Sequence, residues 1–464
     1  MKVDVLIVGS GFAASVLAKK FEEARVQHII IDVSEEICVE YINNNEEFFD
    51  PIQAAKTSKK NGGIGVWGNS VTIPSPKNFF EKGDDVWLNL NSALDPRDLQ
   101  RFLPALSIKS SQIPKNTSKI LKRIMPDFDE VFITEVHGYA KAPSDSNGFK
   151  SALKEVHQGR IVEIEPMLKQ IRFSPNSGDA YTIQYEIIVF ASGAIGNALL
   201  VNRFTGANRF FLGNHISTEI GCFSLNYPTH LWNVYQSFSR NERQFVTFSL
   251  KEQKEEGATS GAIRLIPSRK ELLSLKWRVL CVAARTRFLQ AAFWSEFGLI
   301  LRDSLSRIFL ARRLDLSFRL RLIADLPFSK SNGWLEICNQ SESWAQIRIN
   351  LVLTDEYKKG LSNLIEAFVR ISESPNSGFR IKRSTNLSLD KAVWSDCGHY
   401  YGTVPVSLDG EYPTVDEDLS LRCGENMYVV GNSSHANGSH GHPTALTILL
   451  ASRLANHLVE KIHA

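Results

Sequence analysis

The chain has 464 residues, 43% of them hydrophobic and 22% charged, a make-up that supports sizeable buried cores and makes two domains the natural expectation. A net charge of +3 over that length excludes a general nucleic-acid binder, and no basic RNA or DNA motif occurs. Six scattered cysteines (Cys38, Cys222, Cys281, Cys338, Cys397 and Cys423) form no C-x-x-C pair, which points to a reducing compartment and to neither a disulfide framework nor a zinc site.

The chain opens on an apolar run, Val3 to Val8, that reads as a buried parallel strand. A turn, Gly9-Ser10-Gly11, leads into a helix predicted from Phe12 to Ala24. Gly9 permits the turn, Gly11 lets backbone approach a pyrophosphate, and Ala14 is small enough for the helix to pack on the strand. The helix start presents N–H groups and a partial positive charge to phosphates. A second apolar strand, His28 to Asp32, ends in an acid 23 residues after Gly9, where a carboxylate can accept hydrogen bonds from ribose hydroxyls. Strand, turn, helix, strand and acid in this order predict dinucleotide binding; taken alone, Asp32 would also fit a strand-end turn. A strand beginning at residue 3 leaves no room for a secretory leader. No uncharged apolar run has the length of a membrane span. The expected place is the cytoplasm, or peripherally at the inner face of a membrane.

Four glycines between Gly62 and Gly68 make Lys60 to Asn69 a loop whose backbone can approach something flat or charged, or a plain surface turn. Helical stretches are predicted at Pro96 to Leu106 and Ser118 to Ile124. Val131 to Val136 reads as a strand, and Arg160 to Glu165, Gln170 to Phe173 and Tyr181 to Gln184 as a small antiparallel unit. Glu186 to Val201 reads as a further buried strand, a small-residue turn (Ala191, Ser192, Gly193) and a helix; it fits a second backbone approach to a nucleotide or an ordinary connection.

From about Asn214 the pattern changes to that of a separate, largely antiparallel domain. Strands are expected at Cys222 to Leu225, Trp232 to Phe238, Gln244 to Leu250, Ala262 to Leu265 and within Ser331 to Leu353, with a helix at Thr354 to Ser372. The resulting fold class is α/β. A Rossmann-like domain is formed by 1–215 and 391–464, with an inserted α+β substrate domain at 216–390. Within the insert, Arg269 to Leu322 carries twelve Lys/Arg against four Asp/Glu, interleaved with aromatic and aliphatic residues. Basic amphipathic helices of this kind lie on anionic membrane surfaces, or pack with a solvated basic face over a cleft or a subunit.

Near the C-terminus, Ser395 to Thr403 sets His399 in a glycine-flanked segment. Met427 to Val430 reads as another buried strand, followed by Gly431, Asn432, Ser433 and Ser434. His442 precedes Pro443 at the expected first position of a long helix with Leu446, Leu450, Leu454, Leu458 and Ile462 as its buried stripe.

This ordered set resembles the glucose–methanol–choline oxidoreductases, flavoproteins that oxidise alcohols. The resemblance rests on Gly9 to Ala14, Gly62 to Asn69, Phe190 to Gly196, His399 to Thr403, Tyr428 to Ser434 and His442 to Thr444; it is loose from 216 to 390 and absent from Arg269 to Leu322. It implies FAD held by Gly9, Gly11, Phe12, Ala13, Ala14, Asp32, Gly63, Trp67, Gly68, Asn69, Ala191, Ser192, Gly193, Gly431, Asn432, Pro443 and Thr444. It also implies a catalytic pair, His399 as base and His442 holding the alcohol oxygen, with the two roles exchangeable. His435 and His440 are expected to be structural or peripheral. Val404-Pro405-Val406 and Asn69 depart from the family pattern and bear on substrate more than on cofactor. The expected partners are a small-molecule alcohol or sugar and an unidentified electron acceptor. A nicotinamide-dependent dehydrogenase, a flavin-holding lyase or redox-inactive scaffold, and a membrane-surface protein built on the basic insert are the competing readings.

Overall fold

The computed structural model describes residues 1–33, 36–42, 48–49, 70–72, 94, 97–98, 102, 131–139, 153, 155–225, 246–250, 261–267, 317–326, 333–373, 379–383, 389, 392–407, 412–436 and 443–464. The loop Lys60 to Asn69, with Gly63, Trp67, Gly68 and Asn69, lies outside these residues. So do the stretches Ser118 to Ile124 and Trp232 to Phe238, residues 269–316 of the basic insert, His440 and His442.

Strands of the first half are β1 (Lys2–Val8), β2 (His28–Val33), β3 (Glu36–Tyr41), β4 (Phe48–Phe49), β5 (Ser70–Thr72), β6 (Val131–Tyr139), β7 (Val156–Glu165), β8 (Gln170–Pro175), β9 (Tyr181–Phe190), β10 (Arg209–Phe211) and β11 (Asn214–Leu225). The second half adds β12 (Val246–Leu250), β13 (Gly261–Pro267), β14 (Ser317–Leu326), β15 (Gly333–Gln340), β16 (Trp344–Leu351), β17 (Phe379–Arg383), β18 (Trp394–Asp396) and β19 (Met427–Val429). The principal helices are α1 (Phe12–Ala24), α2 (Gly193–Thr205), α3 (Asp355–Glu373) and α4 (Thr444–His463).

Three sheets organise these strands. In the first, β7, β2, β1, β9 and β19 lie side by side and all parallel. In chain order this is 3-2-1-4-5, the doubly wound arrangement, with its switch point between β1 and β9. The unit Arg160 to Gln184 is antiparallel as expected, because β8 bridges β7 and β9. It is a flap on this same sheet, since β9 changes partner along its length: Gln170 to Phe173 pair with its first residues and β1 with the rest. The two stretches Tyr181 to Gln184 and Glu186 to Phe190 are therefore one strand.

A four-stranded sheet has the order β10-β15-β16-β3, and a nine-stranded sheet runs β4-β18-β11-β14-β13-β12-β6-β5 with β17 beside β11. The final residues of the basic stretch are strand. In β14, Leu320 and Leu322 are buried, while Arg319 and Arg321 lie 2.8 and 3.9 Å from Glu219. Period-two alternation wins there over helical amphipathicity.

Helices α1 and α4 pack on each other, with Lys20 Nζ donating to Asn456 Oδ1 at 3.0 Å. α1 begins at Phe12 and ends where Arg25 turns left-handed at φ 58°. The predicted stripe of α4 is buried at Leu446, Leu450, Leu454 and Leu458; Ala445, Ile448, Leu449 and Ala451 are buried too, so the helix is enclosed on more than one face. Pro443 is its N-cap, one position earlier than expected; its φ of −71° is already helical, and its carbonyl accepts from Thr447 N at 2.9 Å.

One buried amide ties together the segments that leave β9 and β19. Asn197 on α2 accepts from Ser192 N–H at 2.8 Å through Oδ1. Its Nδ2 lies 2.6 Å from Ser433 Oγ, 3.3 Å from Phe190 O and 3.4 Å from Val430 O. Replacing it leaves buried donors and acceptors without partners. Asn197→Ala is expected to cost about 3 kcal/mol in urea denaturation; a cost below about 1 kcal/mol would show that these contacts do not hold the two segments together.

Candidate active site

The parallel register brings four strand ends into one row. Val8 pairs with Ile31 and with Phe190, and Phe190 with Val429. The segments at these carboxyl ends therefore emerge side by side: the turn at Gly9, Asp32 on β2, Ala191 and Ser192 after β9, and Val430 and Gly431 after β19. Clefts at the carboxyl ends of parallel strands, at the switch point, are where this topology receives ligands. Gly9, Gly11, Phe12, Ala13, Ala14, Asp32, Ala191, Ser192, Gly193, Gly431 and Asn432 are thus brought together at one edge. Pro443 and Thr444 join through Thr447, whose hydroxyl donates to Asn432 Oδ1 at 2.7 Å.

Backbone contacts explain the small residues. Gly9 has φ +117°, and a Cβ there would stand 2.5 Å from Ala191 O. Gly9 N donates to Ile31 O at 2.7 Å, Ala191 N to Val8 O at 2.7 Å, and Ser192 Oγ to Val8 O at 2.9 Å. The N-cap of α1 is Gly11, which has no side chain with which to cap the helix. Ser10 Oγ is buried within this turn and has no hydrogen-bond partner among the described residues. A buried hydroxyl beside uncapped helix N–H groups matches what a diphosphate asks of its site. Asp32 is half-buried near the end of its strand, in the same row of strand ends.

The segment that carries His399 is tied to this edge by its later residues. It turns through Gly398 (φ 65°) and Gly402 (φ 75°), left-handed conformations that glycine adopts without a steric cost. Gly402 N donates to Asn432 O at 3.0 Å, Val404 N to Ser433 O at 2.9 Å, and Thr403 Oγ1 to Ala194 O at 2.7 Å. On its other flank, Tyr401 exchanges backbone hydrogen bonds with Gly213, where a Cβ would collide with the Tyr401 ring. Val404 and Val406 are fully buried, so the departure from the family pattern there fills core.

His399 is half-buried, and its Nδ1 lies 3.3 Å from Nδ1 of His215. His215 is buried, with Nε2 3.5 Å from Asp325 Oδ1. Asp325 faces His215 across the β11–β14 pair and accepts a hydrogen bond from the Tyr401 hydroxyl at 2.7 Å. Neither His215 nor Asp325 has a motif around it; Asp325 interrupts the apolar end of β14, whereas His215 stands among the polar residues Asn214, Ser217 and Thr218 of β11. Burial pushes the Asp325 carboxyl up to about 7, against the opposing hydrogen bond from Tyr401. Tyr357 is raised well above its usual value by burial and by the Asp325 charge. His435 is buried beside Asn432, and burial holds its imidazole down at about 3.

No protein-family model and no curated protein matches the sequence. Solved structures do match along nearly its whole length. Pyridoxine 4-oxidase from Mesorbium loti superposes with TM-score 0.55 at 12% identity, covering 98% of this chain and 99% of its own. A fungal aryl-alcohol oxidase gives 0.54 at 11% identity, covering 100% and 99%. A formate oxidase from Aspergillus oryzae RIB40, solved in connection with modification of its FAD, gives 0.57 at 10% identity, covering 100% and 98%. The chain has the fold of the glucose–methanol–choline oxidoreductases.

The two buried titrating groups pull stability in opposite directions. Between pH 6.5 and about 3 the unfolded chain protonates His435 and the folded one does not, so this group's stability falls as pH falls. Between pH 3.8 and about 7 the folded chain keeps the Asp325 proton that the unfolded one loses, so stability falls as pH rises. Each slope is about 1.4 kcal/mol per pH unit, and they cancel where they overlap. Thermal melts across that overlap are expected to show His435→Gln gaining stability towards acid relative to the parent, and Asp325→Asn losing it. Parallel pH profiles for all three proteins would contradict both assignments.

Proposed function

We propose that the chain is an FAD-dependent oxidoreductase that oxidises an alcohol group of a small molecule. The observation that carries this reading is the row of four strand ends at the switch point, with the uncapped Gly9–Gly11 turn opening α1. The buried hydroxyl of Ser10 supports it as a donor for a diphosphate, and Asp32 as an acceptor for ribose hydroxyls. The likeness of fold to an FAD-dependent oxidoreductase from Chaetomium thermophilum and to the formate oxidase with its FAD favours a flavin over a nicotinamide.

FAD, when bound, supplies the acceptor for the hydride that leaves the alcohol carbon. The chain's part is to remove the hydroxyl proton and hold the oxygen in line. His399 takes the proton, since imidazole is the side chain whose ordinary protonation change lies nearest neutral pH. His442, just before Pro443, is assigned to hold the oxygen. Tyr400 and Tyr401 are buried beside His399 in the chain and help to exclude water.

A hydroxyl of a sugar or glycan precursor is the finer proposal, resting on family habit and on the positive charge of Arg269 to Leu322. The inserted domain at 216–390 and peripheral contact of that basic stretch with an anionic membrane belong to the same proposal. Among the described residues no helix is long and apolar enough to cross a membrane.

The purified protein is expected to be yellow, with an absorbance band near about 450 nm that an alcohol bleaches anaerobically. His399→Ala should keep the colour and slow the bleaching by a factor on the order of 10² to 10⁴. A colourless protein that binds NAD instead, or a variant that bleaches at the parent rate, would overturn the reading.

A further inference from the structure

A histidine that acts as a base must keep its lone pair on the nitrogen that meets the substrate, and something must hold the ring's one proton on the other nitrogen. We propose that His215 and Asp325 are positioning residues that fix the His399 proton on Nδ1, leaving the lone pair on Nε2. The proposal rests on His399 being the base and says what makes it one.

The line of polar contacts runs outward from the buried acid. Asp325 Oδ1 receives the Tyr401 hydroxyl hydrogen bond at 2.7 Å, so this oxygen acts as an acceptor. That holds whether the carboxyl is ionised or carries its proton on the other oxygen. His215 Nε2 faces Oδ1 at 3.5 Å without the alignment of a hydrogen bond, and beside a buried acceptor oxygen an N–H dipole is favoured over a lone pair, so this is the nitrogen that bears hydrogen. A neutral imidazole has one N–H, so His215 Nδ1 holds a lone pair. Across 3.3 Å stands His399 Nδ1, and two lone pairs do not face each other at hydrogen-bond distance, so His399 bears its hydrogen there. The remaining His399 nitrogen, Nε2, is the basic one. When it takes a proton, the cation donates through Nδ1 to His215, with the acid behind it.

Sheet register builds this line. His215 and Asp325 are directly opposed on β11 and β14, and Ile216 pairs with Asp396 of β18. Cys397 N then donates to His215 O at 3.0 Å, which carries the chain on to His399. The two imidazoles meet edge to face, with ring centroids 5.4 Å apart and planes at 89°, a geometry that aims one ring's edge at the other. His215 is buried whereas His399 is half-buried, so the outer ring can meet substrate and the inner one serves it.

Nitrogen-15 NMR of the purified full-length protein, labelled at histidine, reads the tautomers directly. The His399 signals are assigned by their loss in His399→Gln. The expected result is a pyrrole-like Nδ1 and a pyridine-like Nε2 for His399, and the reverse pattern for His215. His215→Gln keeps an acceptor oxygen and should preserve the His399 pattern, whereas His215→Phe should move the proton to Nε2. A His399 proton on Nε2 in the parent overturns the proposal without recourse to any variant. So does an unchanged pattern in His215→Phe that retains its near-ultraviolet circular dichroism. The readout uses neither flavin nor substrate, so a protein that binds no FAD would sink the proposed function while this result still stands or falls alone.

Discussion

Everything at the candidate site depends on how closely two backbones pass. The turn after β1 and the turn after β9 touch at Gly9 and Ala191, and no Cβ fits at Gly9. That contact is possible because β1 and β9 are parallel neighbours in register, with Val8 opposite Phe190. A bulkier residue at Gly9 would push the turns apart and rotate the start of α1 away from the cleft. Peptide dipoles at that helix start act over short range, so a small displacement removes much of their attraction for an anion. Gly431 belongs to the same constraint for another reason: its φ of +109° is a conformation that side chains oppose, while among the described residues a Cβ there would meet only Ala13, at 3.9 Å.

A second constraint fixes the distant histidine relative to that cleft. The segment from His399 to Val406 is stitched on one flank to Asn432, Ser433 and Ser434, and on the other to Gly213. The first flank belongs to the parallel sheet and the second leads into the nine-stranded one. His399 therefore sits where two sheets are joined by backbone hydrogen bonds. The buried line of Asp325, His215 and Tyr401 is the nine-stranded sheet's share of the site. Buried polar groups of this sort are costly, and β11 carries several of them, since Asn214, Ser217 and Thr218 are buried on the same strand as His215.

The nucleotide-type sheet was legible because its signals are local. Helix α1 runs from Phe12 to Ala24 as the sequence predicts, since strand, glycine turn and helix lie within two dozen residues. Strand β9 reads in sequence as two pieces. As far as Glu186 it alternates buried and exposed residues, and its last four, Ile187 to Phe190, are all buried beside β1 and β19. One strand with two environments carries two periodicities. The end of the basic stretch deceived for a related reason: Phe318-Arg319-Leu320-Arg321-Leu322 is basic and apolar in alternation, and only pairing with β11 and β13 shows it as strand. His215 and Asp325 were out of reach altogether. His215 is 184 residues from His399, and sheet register alone brings the three side chains together.

Three separate loops are held to form one ligand cradle, and hydrogen exchange on cofactor-stripped protein tests this most directly. Adding FAD is predicted to slow amide exchange together at residues 9–14, 191–194 and 430–433, at a single saturating stoichiometry. Protection confined to one of these loops, or absent from all three, would contradict it.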